Sequence, residues 1–367
     1  MGKCFISSHF TIWLRYMNVH LPCLIVGFEA NLDVKEFFIT MTWIYISIFI
    51  ISAIISSLSA VHLSKHADTI SKQTKMGGFL AGTILLAVAT SLPELTTTVS
   101  ASVIGSADIA AGNGLGSILF NTLVLFLLDI HFRSKRLFLR VSHTHIYTGA
   151  IALLLCVVSA GGLLINHSFS VLNIGLTSFI VAVIYGGGMW LLSKTKIEEP
   201  SSEDTVNKGS EITSIRQAVR KFILFSIAIF IFGSALSLSG DAISRSTGIS
   251  ATVIGSFLVA LATSLPDAMG VFMALRLGNI NMAIGAILGS NIFNILVVAI
   301  GDVFYFEGSI WQDTSNDIIY ISFIGFVLTA IVMIIIKRDR TRNSFTYILP
   351  SLTAVVSYLL VMGFLFF

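Results

Sequence analysis

A short acidic motif occurs twice in this 367-residue chain, each time inside an otherwise apolar stretch. The first copy, Ala-Thr-Ser-Leu-Pro-Glu, ends at Glu94, and the second, Ala-Thr-Ser-Leu-Pro-Asp, ends 173 residues later at Asp267. No lysine or arginine lies near either acid in its stretch, so each carboxylate must be paired, protonated or bound to a cation. Repeated halves with acids and prolines at membrane depth are typical of secondary transporters.

Oxygen-bearing side chains accompany both acids at helical spacing. Thr90 precedes Glu94 by four residues, and Thr263 precedes Asp267 by four, so each pair shares a helix face. In each copy a serine and an asparagine repeat this spacing one span later: Ser117, Asn121, Ser290 and Asn294. Carboxylate, hydroxyl and amide oxygens are hard ligands that suit Ca²⁺ or Na⁺ better than transition metals. The pattern therefore predicts a cation site shared by both copies.

A proline stands directly before each acid. Proline has no amide hydrogen for the carbonyl four residues back, so Pro93 and Pro266 free the carbonyls of Ala89 and Ala262 and bend their helices. Free backbone groups at membrane depth need protein, an aqueous cavity or a cation as partner. The prolines therefore favour a binding site at the same depth as the acids.

The remaining acids lie in predicted loops or at the ends of predicted spans. Asp129 and Asp302 also repeat, but they stand where apolar stretches end. We interpret them as helix-end or interfacial charges and place them outside the site.

Composition identifies the class of protein. The chain is 55% hydrophobic and 11% charged, with a mean hydropathy of +0.91, whereas soluble domains have roughly 25% charged residues. These values predict an all-α polytopic membrane protein. A membrane-spanning helix needs about 20 mostly apolar residues. Ten stretches qualify: 41–60, 78–103, 107–128, 145–165, 170–192, 221–240, 250–275, 280–301, 317–336 and 346–366.

The positions of the basic residues predict the orientation. Loops after the odd-numbered spans hold all of the 22 lysines and arginines except Lys3, Arg15, Lys35 and Arg245. The positive-inside rule places these loops in the cytoplasm and both termini outside the cell membrane. With five spans in each half, the halves then enter the membrane in opposite directions. This inverted repeat would bring Glu94 and Asp267 together at the midplane.

Four segments follow from this layout. Residues 1–40 are predicted to form an extracellular or interfacial segment, and 193–220 a cytoplasmic linker. Residues 41–192 and 221–367 form the two inverted five-helix repeats. The repeated motifs occupy about 78–130 in the first and about 250–303 in the second.

At these motifs the chain resembles the cation/Ca²⁺ exchanger superfamily. The resemblance rests on Thr-Ser-Leu-Pro-Glu ending at Glu94 with Gly-Ser-x₂-Phe-Asn ending at Asn121, and on the matching motifs that end at Asp267 and Asn294. The short central loop makes the chain most similar to compact prokaryotic sodium/calcium exchangers. The resemblance implies a core of spans two, three, seven and eight, across which the long spans one and six slide.

The resemblance also implies a ligand set for the ions. Its side chains are Glu94, Asp267, Thr90, Ser91, Ser117, Asn121, Thr263, Ser264, Ser290 and Asn294, and its backbone carbonyls are those of Ala87 and Ala260. Two positions depart from the family pattern. Many sodium/calcium members have Glu where this chain has Asp267, and several relatives have Asp where it has Asn294. The second departure disfavours the potassium-dependent members and leaves two carboxylates for all coupled ions.

The sequence thus predicts a secondary antiporter, not an enzyme, that exchanges Na⁺ for Ca²⁺ by alternating access. Ca²⁺/H⁺ exchange on the same scaffold is the alternative, and a cation channel is a more distant one. An intramembrane aspartyl protease would need two aspartates in YD and GxGD contexts, which these motifs do not match. The expected partners are the transported cations and the bilayer, without a cofactor, nucleic acid or obligate protein partner.

Overall fold

The computed structural model is almost entirely helical. It describes residues 30–73, 90–133, 136–142, 145–165, 170–171, 174–194, 214–276, 278, 280–338 and 343–366. In chain order the helices are α1 (Ala30–Gln73), α2 (Leu92–Val103), α3 (Ala107–His131), α4 (His145–Leu164), α5 (Leu176–Lys194), α6 (Ile215–Thr247), α7 (Ala251–Arg276), α8 (Ile280–Val303), α9 (Ile310–Asp313), α10 (Asp317–Ile336) and α11 (Ser344–Phe366). The chain divides into two units, Met1–Trp43 and Ile44–Phe367.

Eight helices in the described ranges are long and apolar enough to cross a membrane: α1, α3, α4, α5, α6, α7, α8 and α10. The helix is the expected solution, because a helix satisfies its own backbone hydrogen bonds in lipid. Two of the ten predicted spans are not among the eight. Part of span 78–103 lies outside the described residues, and the described apolar part of α11, Phe345–Leu360, is shorter than the others.

The helices differ in how deeply they are buried. In α3 and in α8, 72% of the most apolar stretch is buried inside the protein, against 17% in α5 and 28% in α1 and α6. The helices that contain the predicted serine and asparagine ligands are therefore central. The exposed large apolar side chains of α1, α5 and α6 suit contact with lipid.

Helix α7 is locally widened where it meets α3. Residues Ile254–Val259 form a π-helical segment, a feature often found near functional sites. The two backbones approach closely there, because a Cβ added at Gly112 would lie 2.9 Å from the Ser256 nitrogen. A Cβ added at Gly255 would lie 2.8 Å from the Ile109 Cα. Glycine is required on both sides of this contact.

Two regions differ from the sequence-based expectation. Helix α1 begins at Ala30, before the predicted start at residue 41, while residues 1–29 of the predicted N-terminal segment lie outside the described part of the chain. Before α5, residues Ser170–Val171 (β1) and Ile174–Gly175 (β2) form a short antiparallel pair where a helix was predicted. The amide of Gly175 donates to Asp302 Oδ2 at 2.7 Å instead of to a helical carbonyl, which explains the later start of α5.

Candidate functional site

The two repeated acids lie in two different helices, each directly after a proline. Glu94 is in the first turn of α2 and is completely buried. Asp267 is in the middle of α7 and is 8% exposed. Ser264, three residues before Asp267, donates a hydrogen bond to Glu94, so the fold brings the two copies of the motif together.

The first proline begins a new helix. Ser91 has φ −97° and ψ 11°, and α2 then starts at Leu92 with Pro93 in its first turn. A proline is tolerated there because the first amides of a helix have no partner within it. The predicted free carbonyl of Ala89 lies outside the described residues.

The second proline stays inside a continuous helix. Pro266 cannot donate to the Ala262 carbonyl, and the hydroxyl of Ser57 in α1 donates to that carbonyl instead, at 3.1 Å. The carbonyl that the sequence predicted to be free is therefore bound by a neighbouring helix.

Glu94 is only partly satisfied by protein. Its Oε1 accepts a hydrogen bond from Ser264 Oγ at 3.1 Å, across the two repeats. Its Oε2 has no hydrogen-bond partner although it is buried. A buried carboxylate oxygen without a donor is costly, so this atom is suited to a bound cation or proton.

Asp267 has more hydrogen-bonding neighbours. Ser290 Oγ donates to its Oδ2 at 2.5 Å. Asn121, from the other repeat, donates to Ser290 Oγ at 3.2 Å, and both Thr90 and Asn121 lie beside this carboxylate. The second acid is thus surrounded by ligands that the sequence predicted in both halves.

Four of the predicted ligands have unused polar atoms. In the described residues ten buried side-chain atoms have no hydrogen-bond partner, and five of these belong to predicted ligands. They are Glu94 Oε2, Ser117 Oγ, Asn121 Oδ1, and Oδ1 and Nδ2 of Asn294. Ser117, Asn121 and Asn294 are buried, so their side chains cannot form hydrogen bonds with bulk water. The core therefore has spare oxygen ligands of the kind that Ca²⁺ and Na⁺ prefer.

The other predicted ligands are engaged with protein or lie beside the acids. Thr263 Oγ1 donates to Asn113 Oδ1 at 3.0 Å and to the Ala260 carbonyl at 3.2 Å. Ser91 is buried, and its carbonyl accepts the Leu95 amide at 3.1 Å. The predicted carbonyl ligand at Ala87 lies outside the described residues.

Two further asparagines, which were not selected from the sequence, belong to the site. Asn113 Nδ2 donates to the Glu94 carbonyl at 3.0 Å and to Thr98 Oγ1 at 2.8 Å, while its oxygen accepts from Thr263. Asn291 Nδ2 donates to Thr122 Oγ1 at 3.1 Å, and its Oδ1 accepts from Asn121 at 3.4 Å. An asparagine inside an apolar span was the available signal, but neither one is repeated in the other half.

The described part of the chain provides no basic side chain that offsets the acids. Over the described ranges, no lysine or arginine forms an ion pair with Glu94 or Asp267, and Arg245 pairs instead with Asp241 at 2.7 Å near the end of α6. The same ranges contain no cluster of three or more His, Cys, Asp or Glu side chains that could hold a metal ion. Two carboxylates surrounded by neutral hydroxyl and amide oxygens are ligand types that suit a hard cation.

The second repeated pair of acids stands at helix ends as predicted, and both side chains are buried in the protein. Asp129 and Asp302 are 0% and 1% exposed. Asp302 accepts from Ser178 Oγ and Ser309 Oγ at 2.6 and 2.9 Å, and from the Gly175 and Ile310 amides at 2.7 Å each. Asp129 accepts hydrogen bonds from Tyr347 and Ser351. Both are buried anchors, because hydroxyl and amide donors replace the water that a carboxylate would otherwise require.

Comparison with known proteins places the chain among ion exchangers. The model of the family described as sodium/calcium exchanger protein matches residues 44–194 and 219–367. Inner membrane protein YrbG of Escherichia coli (strain K12) is 26% identical over 261 residues, which cover 69% of this chain and 77% of that protein.

Solved structures share the fold. The sodium-calcium exchanger NCX_Mj superposes with a TM-score of 0.56 at 20% identity, covering 88% of this chain and 99% of that one. The H⁺/Ca²⁺ exchanger CAX superposes with a TM-score of 0.59 at 12% identity, covering 97% and 91%. These similarities concern the helical architecture.

Proposed function

Since this chain belongs to the sodium/calcium exchanger protein family, we propose that it is a cation antiporter that exchanges Na⁺ for Ca²⁺. In this proposal Ca²⁺ binds between Glu94 and Asp267, whose two charges balance it. Na⁺ ions compete for the same carboxylates and for the neutral oxygens around them. No enzymatic step is involved.

One observation supports the proposal most strongly. Two buried acids of the repeated motif are linked through the hydrogen bond from Ser264 to Glu94, and neither has a basic partner among the described residues. Unpaired oxygens of Glu94, Ser117 and Asn121 remain in the surrounding core. Leaving buried polar atoms unpaired costs about 1–3 kcal/mol each, and more for a charge. A cation that binds these oxygens would recover that cost.

Coupling follows from the cost of charge in the core. An empty pair of ionised carboxylates is expensive at membrane depth, whereas a pair neutralised by cations is not. The core therefore changes the side to which it opens mainly when ions occupy it. Competition between Na⁺ and Ca²⁺ then becomes exchange, and the Na⁺ gradient drives Ca²⁺ movement.

Helices α1 and α6 are suited to control access. With 33 residues, α6 is about 50 Å long, which exceeds the roughly 30 Å hydrocarbon core. Ser57 of α1 holds the Ala262 carbonyl beside the site in α7. On the other side, Thr97 of α2 donates to the Gly233 carbonyl of α6 at 3.2 Å. Each long helix thus contacts a helix that contains an acid, so a sliding motion would be transmitted to the site.

The topology proposed for this activity has ten spans in two inverted repeats, 41–192 and 221–367, joined by the linker 193–220. The protein is placed in the cell membrane, with both termini outside and the linker in the cytoplasm. Labelling of single cysteines introduced into the linker tests this orientation in whole cells.

Flux measurements test the function directly. Purified protein is reconstituted in liposomes that contain a Ca²⁺ indicator, and Ca²⁺ movement is followed under an imposed Na⁺ gradient and then under a proton gradient. Na⁺-driven flux supports the proposal. Flux driven only by protons would assign the alternative, Ca²⁺/H⁺ exchange, which the fold shared with CAX keeps open.

Variants of the two acids test the site. Glu94→Gln and Asp267→Asn should each abolish flux, because a single remaining carboxylate cannot neutralise Ca²⁺. Asp241→Asn is a matched control, since Asp241 pairs with Arg245 at the exposed end of α6. Wild-type flux in either site variant would refute the assignment.

A further inference from the structure

One of the two equivalent asparagines of the candidate site is held in a fixed orientation, and the other is not. Resting on the proposed function, we infer that Asn291 and Thr122 are positioning residues that keep the side-chain oxygen of Asn121 free for the transported cation. An amide side chain can bind a cation only through its oxygen, because its nitrogen offers hydrogens and no lone pair. The orientation of Asn121 therefore decides whether this residue is a ligand.

The orientation starts at a backbone carbonyl of α3. Thr122 Oγ1 donates its only hydrogen to the Ile118 carbonyl at 2.7 Å, so this hydroxyl can only accept from any other neighbour. That neighbour is Asn291 of α8, whose Nδ2 donates to Thr122 Oγ1 at 3.1 Å. Thr122 thus determines which end of the Asn291 amide faces it.

Asn291 passes this orientation on to Asn121. Because the nitrogen of Asn291 is used by Thr122, its Oδ1 remains for Asn121 and accepts from Asn121 Nδ2 at 3.4 Å. Ser290 acts in the same sense, since its hydroxyl hydrogen goes to Asp267 and its oxygen accepts from Asn121 Nδ2 at 3.2 Å. Both contacts use the nitrogen end of Asn121, and its Oδ1 is left buried without a hydrogen-bond partner.

Asn294 occupies the equivalent position in the second repeat and has no such support. The residues that correspond to the two positioning residues are Ile118 and Ile295, whose side chains form no hydrogen bonds. Both amide atoms of Asn294 are buried without a partner. The two repeats are therefore unequal, because one asparagine presents a fixed oxygen and the other can be turned either way.

A fixed orientation strengthens ion binding. An amide that is free to flip weakens binding in proportion to the fraction of molecules in which its oxygen faces the ion. Removal of a group that orients a metal ligand typically lowers metal affinity about 10- to 100-fold. Since Ser290 still contacts Asn121 when Asn291 is replaced, we expect an effect of about tenfold, at the lower end of this range.

Calorimetric titration of the purified protein with Ca²⁺ in detergent tests the inference. Asn291→Leu should raise the dissociation constant for Ca²⁺ about tenfold. Thr122→Val should also raise it, whereas Thr122→Ser keeps the hydroxyl and should restore a value close to that of the wild type. Thr329→Val is the matched control, because it makes the same change at a buried threonine of α10, and it should leave the dissociation constant unchanged.

Two further measurements separate a positioning role from a merely structural one. Thermal unfolding in a calcium chelator reports the stability of the ion-free protein, which a structural residue would lower without changing the dissociation constant. In an Asn121→Ala background there is no amide to orient, so Asn291→Leu should cause no further rise. An equal rise in both backgrounds would overturn the inference, because Asn291 would then act independently of Asn121.

The outcomes also separate this inference from the proposed function. If Asn121→Ala weakens Ca²⁺ binding but Asn291→Leu and Thr122→Val do not, the positioning role is refuted and the proposed function stands. A wild-type dissociation constant in Asn121→Ala would likewise overturn the inference. If the wild-type protein neither binds Ca²⁺ nor shows Na⁺-driven flux, both are overturned. Thr122→Val and Thr122→Ser decide the question even if Asn291→Leu does not fold.

Discussion

Ser178 and Ser351 stand 173 residues apart, and each donates its hydroxyl to an aspartate of the opposite half of the chain. Ser178 Oγ lies 2.6 Å from Asp302 Oδ2, and Ser351 Oγ lies 2.7 Å from Asp129 Oδ2. The two aspartates are separated by the same number of residues as the serines. The last helix of each half is thereby fastened to a central helix of the other half.

The two serine–aspartate contacts are equivalent in the two halves, but the other donors around each aspartate differ. Asp302 also accepts two backbone amides, and Trp311 Nε1 donates to Ser178 Oγ at 2.7 Å. Asp129 instead receives the hydroxyl of Tyr347, which also accepts the Phe138 amide at 3.4 Å. Because α3 and α8 contain the predicted serine and asparagine ligands, these anchors hold two helices of the candidate site in place.

Asp302→Asn should destabilise the protein more than Asp129→Asn. In Asp302→Asn, the new side-chain NH₂ group must face the N–H of either Gly175 or Ile310, and a backbone N–H cannot accept a hydrogen bond. The free energy of unfolding should therefore fall by about 2–3 kcal/mol. At 129 the two facing hydroxyls can rotate to accept the new amide hydrogens, so the loss should be about 1 kcal/mol. Thermal unfolding in detergent measures both.

The control for this pair is Asp241→Asn, which removes a partly exposed ion pair worth about 0–1 kcal/mol. Equal losses at 129 and 302 would show that the difference in donors does not matter.

A double-mutant cycle tests the contact between α1 and α7. Ser57→Ala should cost about 1–3 kcal/mol, because it leaves the Ala262 carbonyl without its donor. Pro266→Ala supplies the missing helical amide to that same carbonyl. The cost of Ser57→Ala should therefore fall by about 1 kcal/mol when alanine occupies position 266.

Ser64→Ala is the matched control for that cycle. Its hydroxyl donates to the Ala60 carbonyl one turn back, at 2.9 Å, and this carbonyl keeps its helical partner. Unfolding midpoints of the four proteins give the coupling energy. An identical cost of Ser57→Ala in both backgrounds would show that the Ser57 hydroxyl does not replace the helical amide that is missing at Pro266.

Gly112→Ala should destabilise the close contact between α3 and α7. The added Cβ would meet the Ser256 backbone nitrogen at 2.9 Å, and backbone cannot move aside as a flexible side chain can. Overpacking of this kind costs about 1–3 kcal/mol. Gly186→Ala, in α5, is the control, because nothing lies within 4 Å of its added Cβ and alanine favours helix there. A stable Gly112→Ala protein would argue against tight packing at the π-helical segment.

Much of the fold could be predicted from local hydrophobicity. The predicted span 317–336 coincides with α10, and 280–301 differs from α8 by two residues at its end. The start of α1 at Ala30 and the hairpin before α5 could not be predicted in this way. The hairpin depends on a carboxylate 127 residues away, since Gly175 donates to Asp302. A window of neighbouring residues contains no information about such a partner.

The candidate site was predictable wherever the chain repeats itself. Glu94 and Asp267 are found by comparing the two halves, and so are Ser117 and Ser290. Asn113 and Asn291 were missed because their equivalents are Ala286 and Ile118, so the repeat gives no signal at either position.

The sequence by itself determined the membrane class, the duplication and the residue types that can bind a hard cation, because apolar length, repetition and side-chain chemistry can all be read from the order of the residues without knowing which helices touch. Only the tertiary structure decided which oxygens remain unpaired. It also showed that the Ala262 carbonyl is bound by Ser57 and that Asp129 and Asp302 are buried anchors. Satisfaction of a buried polar group depends on which distant helix supplies its partner, and that is settled only when the helices pack.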